Sequence, residues 1–126
     1  MKPSKLVLDF LQEQGYRIER NDEDGIIFKA KNLTFIYMNN DESDSDFFQM
    51  ALPGIYDVTE ENREVVLEAA NKNNREMKVA KTCVLNDSVW IFFEIFLDNT
   101  PGVSDFMSRA INLMMASRNN LYELLS

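Results

Sequence analysis

The sequence predicts an α+β fold: one antiparallel sheet with three helices, in the order helix, strands, helix, two strands, helix. Three observations carry this expectation. Three well-separated stretches repeat apolar residues at helical spacing. The segments between them alternate apolar and polar residues at period two. Short turn-forming clusters join neighbouring strand segments, so the strands run antiparallel rather than through helical crossovers. The 126 residues, 45% of them hydrophobic, fit one domain over residues 1–126. No internal repeat, linker or low-complexity tract divides them.

The first helix carries Leu6, Val7, Phe10 and Leu11 as its buried stripe, with Ser4 as the expected N-cap and Gly15 as the residue that ends it. Tyr16 and Ile18 alternate with polar residues as a short strand. Asn21 to Gly25 form a turn. Gly25 to Lys31 and Leu33 to Met38 form a hairpin. Phe47 to Leu52 is a further strand, ended by Pro53-Gly54. A helix over Glu60–Asn73 follows, capped by Asp57 or Thr59, with Glu60 and Glu61 favoured at the positive end of its dipole. Strands over Met77–Leu85 and Ser88–Phe96 flank Asn86-Asp87. Asp98 to Gly102 break the chain, and Ser104 caps the long last helix.

Two helices are more apolar than a sheet contact requires. On the middle helix Val65, Val66, Leu67, Ala69 and Ala70 span about 200° of arc, where a helix lying on a sheet needs little more than about 100°. The surplus predicts a second contact, within the fold or with another subunit. Asn73 falls on the apolar side, either satisfying backbone groups at the helix end or registering two subunits. On the last helix Phe106, Ala110, Leu113, Met114, Ser117, Leu121 and Leu124 form one stripe, and Met107, Ile111, Met115, Tyr122 and Leu125 widen it. Arg118 lies within this face, either snorkelling to water or pairing with a carboxylate such as Glu94.

The last strand, VWIFFEIF, is apolar on both sides. Ile91, Phe93 and Ile95 point one way, and Trp90, Phe92, Glu94 and Phe96 the other. The second row is read as core. If a face is left open, Trp90, Phe92 and Phe96 are the best partner-binding residues in the chain.

Most catalytic chemistry lacks its residues. There is no His, so Ser-His-Asp and Cys-His pairs are excluded, as are the usual zinc sites. The four glycines form neither a P-loop nor a dinucleotide fingerprint. The acidic loop Asn39–Asp46 fails as an EF-hand, because counting from Asp41 the sixth and twelfth positions hold Asp46 and Leu52, not Gly and Glu. The single cysteine, Cys83, can form no intrachain disulfide and reads as a small, partly buried hydrophobe. A carboxylate-only magnesium site is left open, but nothing positions one. The expectation is no enzyme, no cofactor and no metal.

The net charge of −8 disfavours nucleic acid and anionic membranes and favours basic partner segments. No run reaches transmembrane length, and Asp9, Gln12 and Glu13 interrupt the N-terminal apolar run, against a signal peptide. A cytoplasmic location is expected.

The stretch FFQMALPGIYDVTEENREVVLEAANKNNREMKVAK, Phe47 to Lys81, followed by VWIFFEIFLDNTP, resembles the YbjN-like family. These are small bacterial proteins described as candidate sensory-transduction regulators. The resembling pattern is a strand, an Asp/Thr-capped helix, an Asn-rich end, a Lys-bearing strand and an aromatic strand. No catalytic motif is part of it, and no functional residue carries over. The family is similar in fold to type III secretion chaperones, which are small, acidic, dimeric and non-enzymatic. Those chaperones dimerise around the middle helix and the strand after it, and bind extended client segments in apolar grooves. The resemblance implies a homodimer, with Val66, Leu67, Ala70 and Asn73 as its interface, and an unidentified protein partner. The expected function is a non-enzymatic regulator or interaction protein acting through apolar surfaces. A secretion-type chaperone is the near alternative, and a small-molecule-binding module or carboxylate-based enzyme the distant one.

Overall fold

The computed structural model describes residues 2–97 and 102–126, without the side chains of residues 105 and 106. Of the chain break expected from Asp98 to Gly102, residues 98–101 lie outside the described residues, as does the side chain of Phe106 in the last helix's stripe. The elements are α1 (Pro3–Glu13), β1 (Arg17–Asp22), β2 (Gly25–Ala30), β3 (Leu33–Met38), β4 (Phe47–Asp57), α2 (Arg63–Glu76), β5 (Lys81–Leu85), β6 (Ser88–Phe96) and α3 (Val103–Leu125). The strands form one antiparallel sheet in the order β1-β2-β3-β4-β6-β5. The predicted α+β class and element order hold.

Turn chemistry sets the register of the first hairpins. The Asp22 carboxylate accepts the backbone N–H groups of Asp24 and Gly25, closing the β1–β2 turn. Gly25 is required there: a Cβ would lie 2.1 Å from the carbonyl oxygen of Tyr37 on β3. Lys31 and Asn32 both take positive φ, which the tight β2–β3 turn demands.

Several element ends depart from the sequence expectation, each for a local reason. α1 starts at Pro3, whose fixed φ suits the first helical position, and Ser4 lies inside the helix. The cap comes from across the fold: the Asp41 carboxylate accepts the Ser4 backbone N–H at 3.3 Å and also the Ser4 hydroxyl. The acidic loop thus caps a helix start. Gly15 ends α1 as expected, with φ 73° and paired bonds from Gly15 N–H to Gln12 and from Tyr16 N–H to Leu11.

β4 does not end at Pro53-Gly54. The two residues bulge out, Gly54 at positive φ, and pairing with β6 resumes at Tyr56 opposite Val89. A bulge is where a proline, lacking an N–H, is tolerated inside a sheet. α2 starts at Arg63, because Thr59 and Asn62 bond each other's backbone N–H groups and hold residues 59–62 as a separate turn. Of the two expected caps, Thr59 therefore serves this turn, while Asp57 contributes only its carbonyl, to the Asn62 amide. α2 runs on to Glu76, and Val79 at φ 67° delays β5 to Lys81. α3 starts at the buried Val103, leaving Ser104 exposed in its first turn with no capping bond.

The described helices contact one another and the sheet from one side. α3 lies between α1 and α2 and also touches β6. Three neighbours explain its wide apolar arc without another subunit. Phe10, Phe28, Phe35, Tyr37, Phe48, Met50, Ile91, Phe93 and Met114 belong to the main core. A smaller core of Val58, Val66, Ala69, Val89 and Leu121 sits under α2.

Candidate functional site

Strand alternation puts half of the sheet's side chains away from the helices. Successive register pairs define one row across all six strands on that face: Arg20, Ile27, Ile36, Ala51, Phe92 and Lys81. Its middle is apolar and each end is a cation. Ala51 is fully buried even here, because the larger flanking side chains overhang it. Beside this row Trp90 stacks on Phe92, centroids 6.0 Å apart, and Phe96 packs against Phe47 at 5.7 Å.

The expectation that Trp90, Phe92 and Phe96 are core is corrected. They occupy the open face; Trp90 and Phe92 are half-buried by their lateral neighbours, and Phe96 is 75% exposed. The strand reads as doubly apolar because one row serves the core and the other serves this face.

A polar strip borders the aromatics. The Gln49 amide donates to Glu94 at 2.7 Å, and Lys81 donates to the other Glu94 oxygen at 2.7 Å while lying 5.8 Å from the Phe92 ring centre. The Glu94 hydrogen bond raises the Lys81 pKa, so Lys81 holds its charge. Glu94 is thus occupied by Lys81. Arg118, for which pairing with Glu94 is one of two expectations, lies 4.6 Å from the Tyr122 ring centre on the helical side. Cys83, opposite Trp90, is half-buried with its pKa pushed up by desolvation, which suits the small hydrophobe expected and disfavours a thiolate.

The residues expected at a dimer seam divide. Val66, Ala70 and Asn73 are buried within the chain. The Asn73 amide donates to the Thr82 hydroxyl at 2.8 Å and to the backbone and hydroxyl oxygens of Ser117, and its oxygen accepts from Asn120 at 2.8 Å. It joins α2, β5 and α3 of one chain, so its polarity needs no second subunit. Leu67, 48% exposed, and Val65, 59% exposed, are the apolar surface α2 retains.

Sequence reasoning missed two features. Ile27 and Ile36 join the aromatic row only through the register. Asn74, read as part of an Asn-rich helix end, accepts the Thr82 N–H at 2.7 Å and donates to the Thr82 carbonyl at 3.0 Å. Both backbone groups point away from β6, so Asn74 occupies the outer edge of β5 at Thr82, where another strand would pair.

Other hollows are open to solvent. One lies between the β4 bulge and Asn62, another between Lys2 and the acidic loop. Among the described residues no three Cys, Asp or Glu side chains gather as metal ligands, and no helix is long and apolar enough to cross a membrane.

No protein-family model and no curated protein matches the sequence. Among solved structures, the chain is similar to YbjN from E. coli, described as a candidate transcription regulator, with a TM-score of 0.63 and 6% identity over 90% of this chain and 87% of that one. At that identity the likeness is one of fold, and the fold is that of YbjN.

Proposed function

We propose that this chain is a non-enzymatic regulatory protein that acts by holding a protein partner on the open face of its sheet. The observation that carries this reading is the uncovered row of Trp90, Phe92 and Phe96, continued by Ile27 and Ile36. Apolar side chains gathered on one exposed face gain by being covered. The likeness to a candidate regulator supports the same reading at the level of fold. The protein works in the cytoplasm and as one domain.

The test is affinity capture from the native host's lysate, followed by reconstitution of any captured protein with the purified chain. One dominant partner that binds the wild-type chain and not a folded Phe92→Asp variant is expected. A partner indifferent to Phe92→Asp, or none, sinks the reading.

A homodimer built on Leu67 and Val65 accompanies this proposal, since α2 carries more apolar surface than the chain covers. Light scattering should give twice the chain mass at tens of micromolar, roughly where weak dimers form, and the monomer mass for Leu67→Glu. A monomer in both cases removes the dimer. The secretion-type chaperone, in which the same apolar surfaces hold an extended client, is the neighbouring reading. It is favoured if the captured partner is an unfolded segment rather than a folded protein.

A further inference from the structure

We infer that the partner segment received by the open face is itself acidic, despite the acidity of the whole chain. This rests on the proposed function and names the chemistry of its partner. The chain's net charge is −8, yet its charges are not spread evenly. The apolar row ends in Arg20 on one side and Lys81 on the other. Each is neutralised within the face, by Asp22 and Glu94 respectively. The neighbouring row adds Arg17 directly opposite Lys29. Like charges facing each other across a strand pair are unfavourable. Among the described residues neither forms an ion pair. Glu19 lies nearby in the β1 bulge, outside the register, and Asp57 lies at the far end of the face beyond the β4 bulge. The face therefore offers an apolar band with an unneutralised cation pair on its border.

The occupant that satisfies both features is a segment with an apolar stripe and carboxylates near one end. Its apolar residues would lie over Ile27, Ile36 and Phe92, and its acids would reach Arg17 and Lys29. Six strands at about 4.8 Å spacing make the whole row, its cation ends included, about 24 Å long, the length of a helix of about 16 residues; the apolar band covers about 14 Å of it. A nucleic acid also brings anions and stacking surfaces. It is the weaker fit, because a long phosphate chain would feel the acidic remainder of the protein, which a short segment avoids.

The test uses a display library of random 16-residue peptides panned on the full chain. Arg17→Glu/Lys29→Glu and Phe92→Asp chains serve as counter-targets, each checked for folding by circular dichroism. Trp90 is the only tryptophan and lies on this face, so its emission reports occupancy. The expected peptides combine an apolar stripe with two or more acids and shift Trp90 emission. They bind the charge-reversed chain about tenfold more weakly at low salt, and the difference shrinks as salt rises. The charge-reversed pair keeps the aromatic row intact, so it decides the matter even if Phe92→Asp does not fold. Basic or neutral peptides that shift Trp90 overturn the inference and leave the proposed function standing. Tighter response to oligo-dT than to any peptide, or a concentration-dependent Trp90 shift of the chain alone, overturns it in favour of nucleic acid or of a second copy. No enrichment, or peptides that leave Trp90 unmoved, overturns both the inference and the reading beneath it.

Discussion

Ile91 and Phe93 leave β6 toward the helices, while Trp90, Phe92 and Phe96 leave the same strand away from them. The two rows are alike in hydrophobicity and differ in what covers them. Phe93 meets the Phe48 ring edge-on at 6.0 Å inside a closed core. Phe96 leans on Phe47 and otherwise faces solvent. The difference teaches that aromatic content alone does not identify core. The decisive fact is where the helices lie, which belongs to the topology and not to the strand.

Substitutions can sharpen or break this contrast. Phe93→Ala should cost about 3–5 kcal/mol in a denaturant titration, through lost burial and the cavity left behind. Phe96→Ser on the same strand should change stability by no more than about 0.5 kcal/mol. Comparable losses at the two positions would mean that the outer row is covered after all. Between these extremes lies Asn73→Ala, which takes away the partner of the Thr82 and Ser117 hydroxyls, while Asn120 keeps its bond to Glu76. A loss of about 2–4 kcal/mol that does not change with protein concentration is expected. Concentration dependence of that loss would instead tie Asn73 to a subunit interface.

Much of the fold was legible because it is local. Helical periodicity located the three helices, and period-two alternation with Asn and Gly turns located the strands. The misplaced ends share one cause. Ser4 and Ser104 are good capping residues, yet α1 begins at Pro3 with Ser4 bound by Asp41 from a distant loop, and α3 begins at the buried Val103. Pro53-Gly54 is a strong breaker, yet β6 holds β4 in register on both sides of the bulge. The site was half legible. Alternation named Trp90, Phe92 and Phe96, but their neighbours Ile27 and Ile36 and the cation pair Arg17–Lys29 are brought together only by pairing between strands. The surplus on α3 left a contact within the fold and one with another subunit equally open, because a sequence cannot say that one helix is flanked by two others.

Asn74 imitates a neighbouring strand with one side chain, offering the Thr82 backbone the donor and acceptor that another chain would bring. The imitation lasts only while the last turn of α2 is wound. Were that turn to fray, Thr82 would present an open donor and acceptor to another strand. Asn74→Ala is therefore expected to lower the temperature at which light scattering first rises more than it lowers the global melting point.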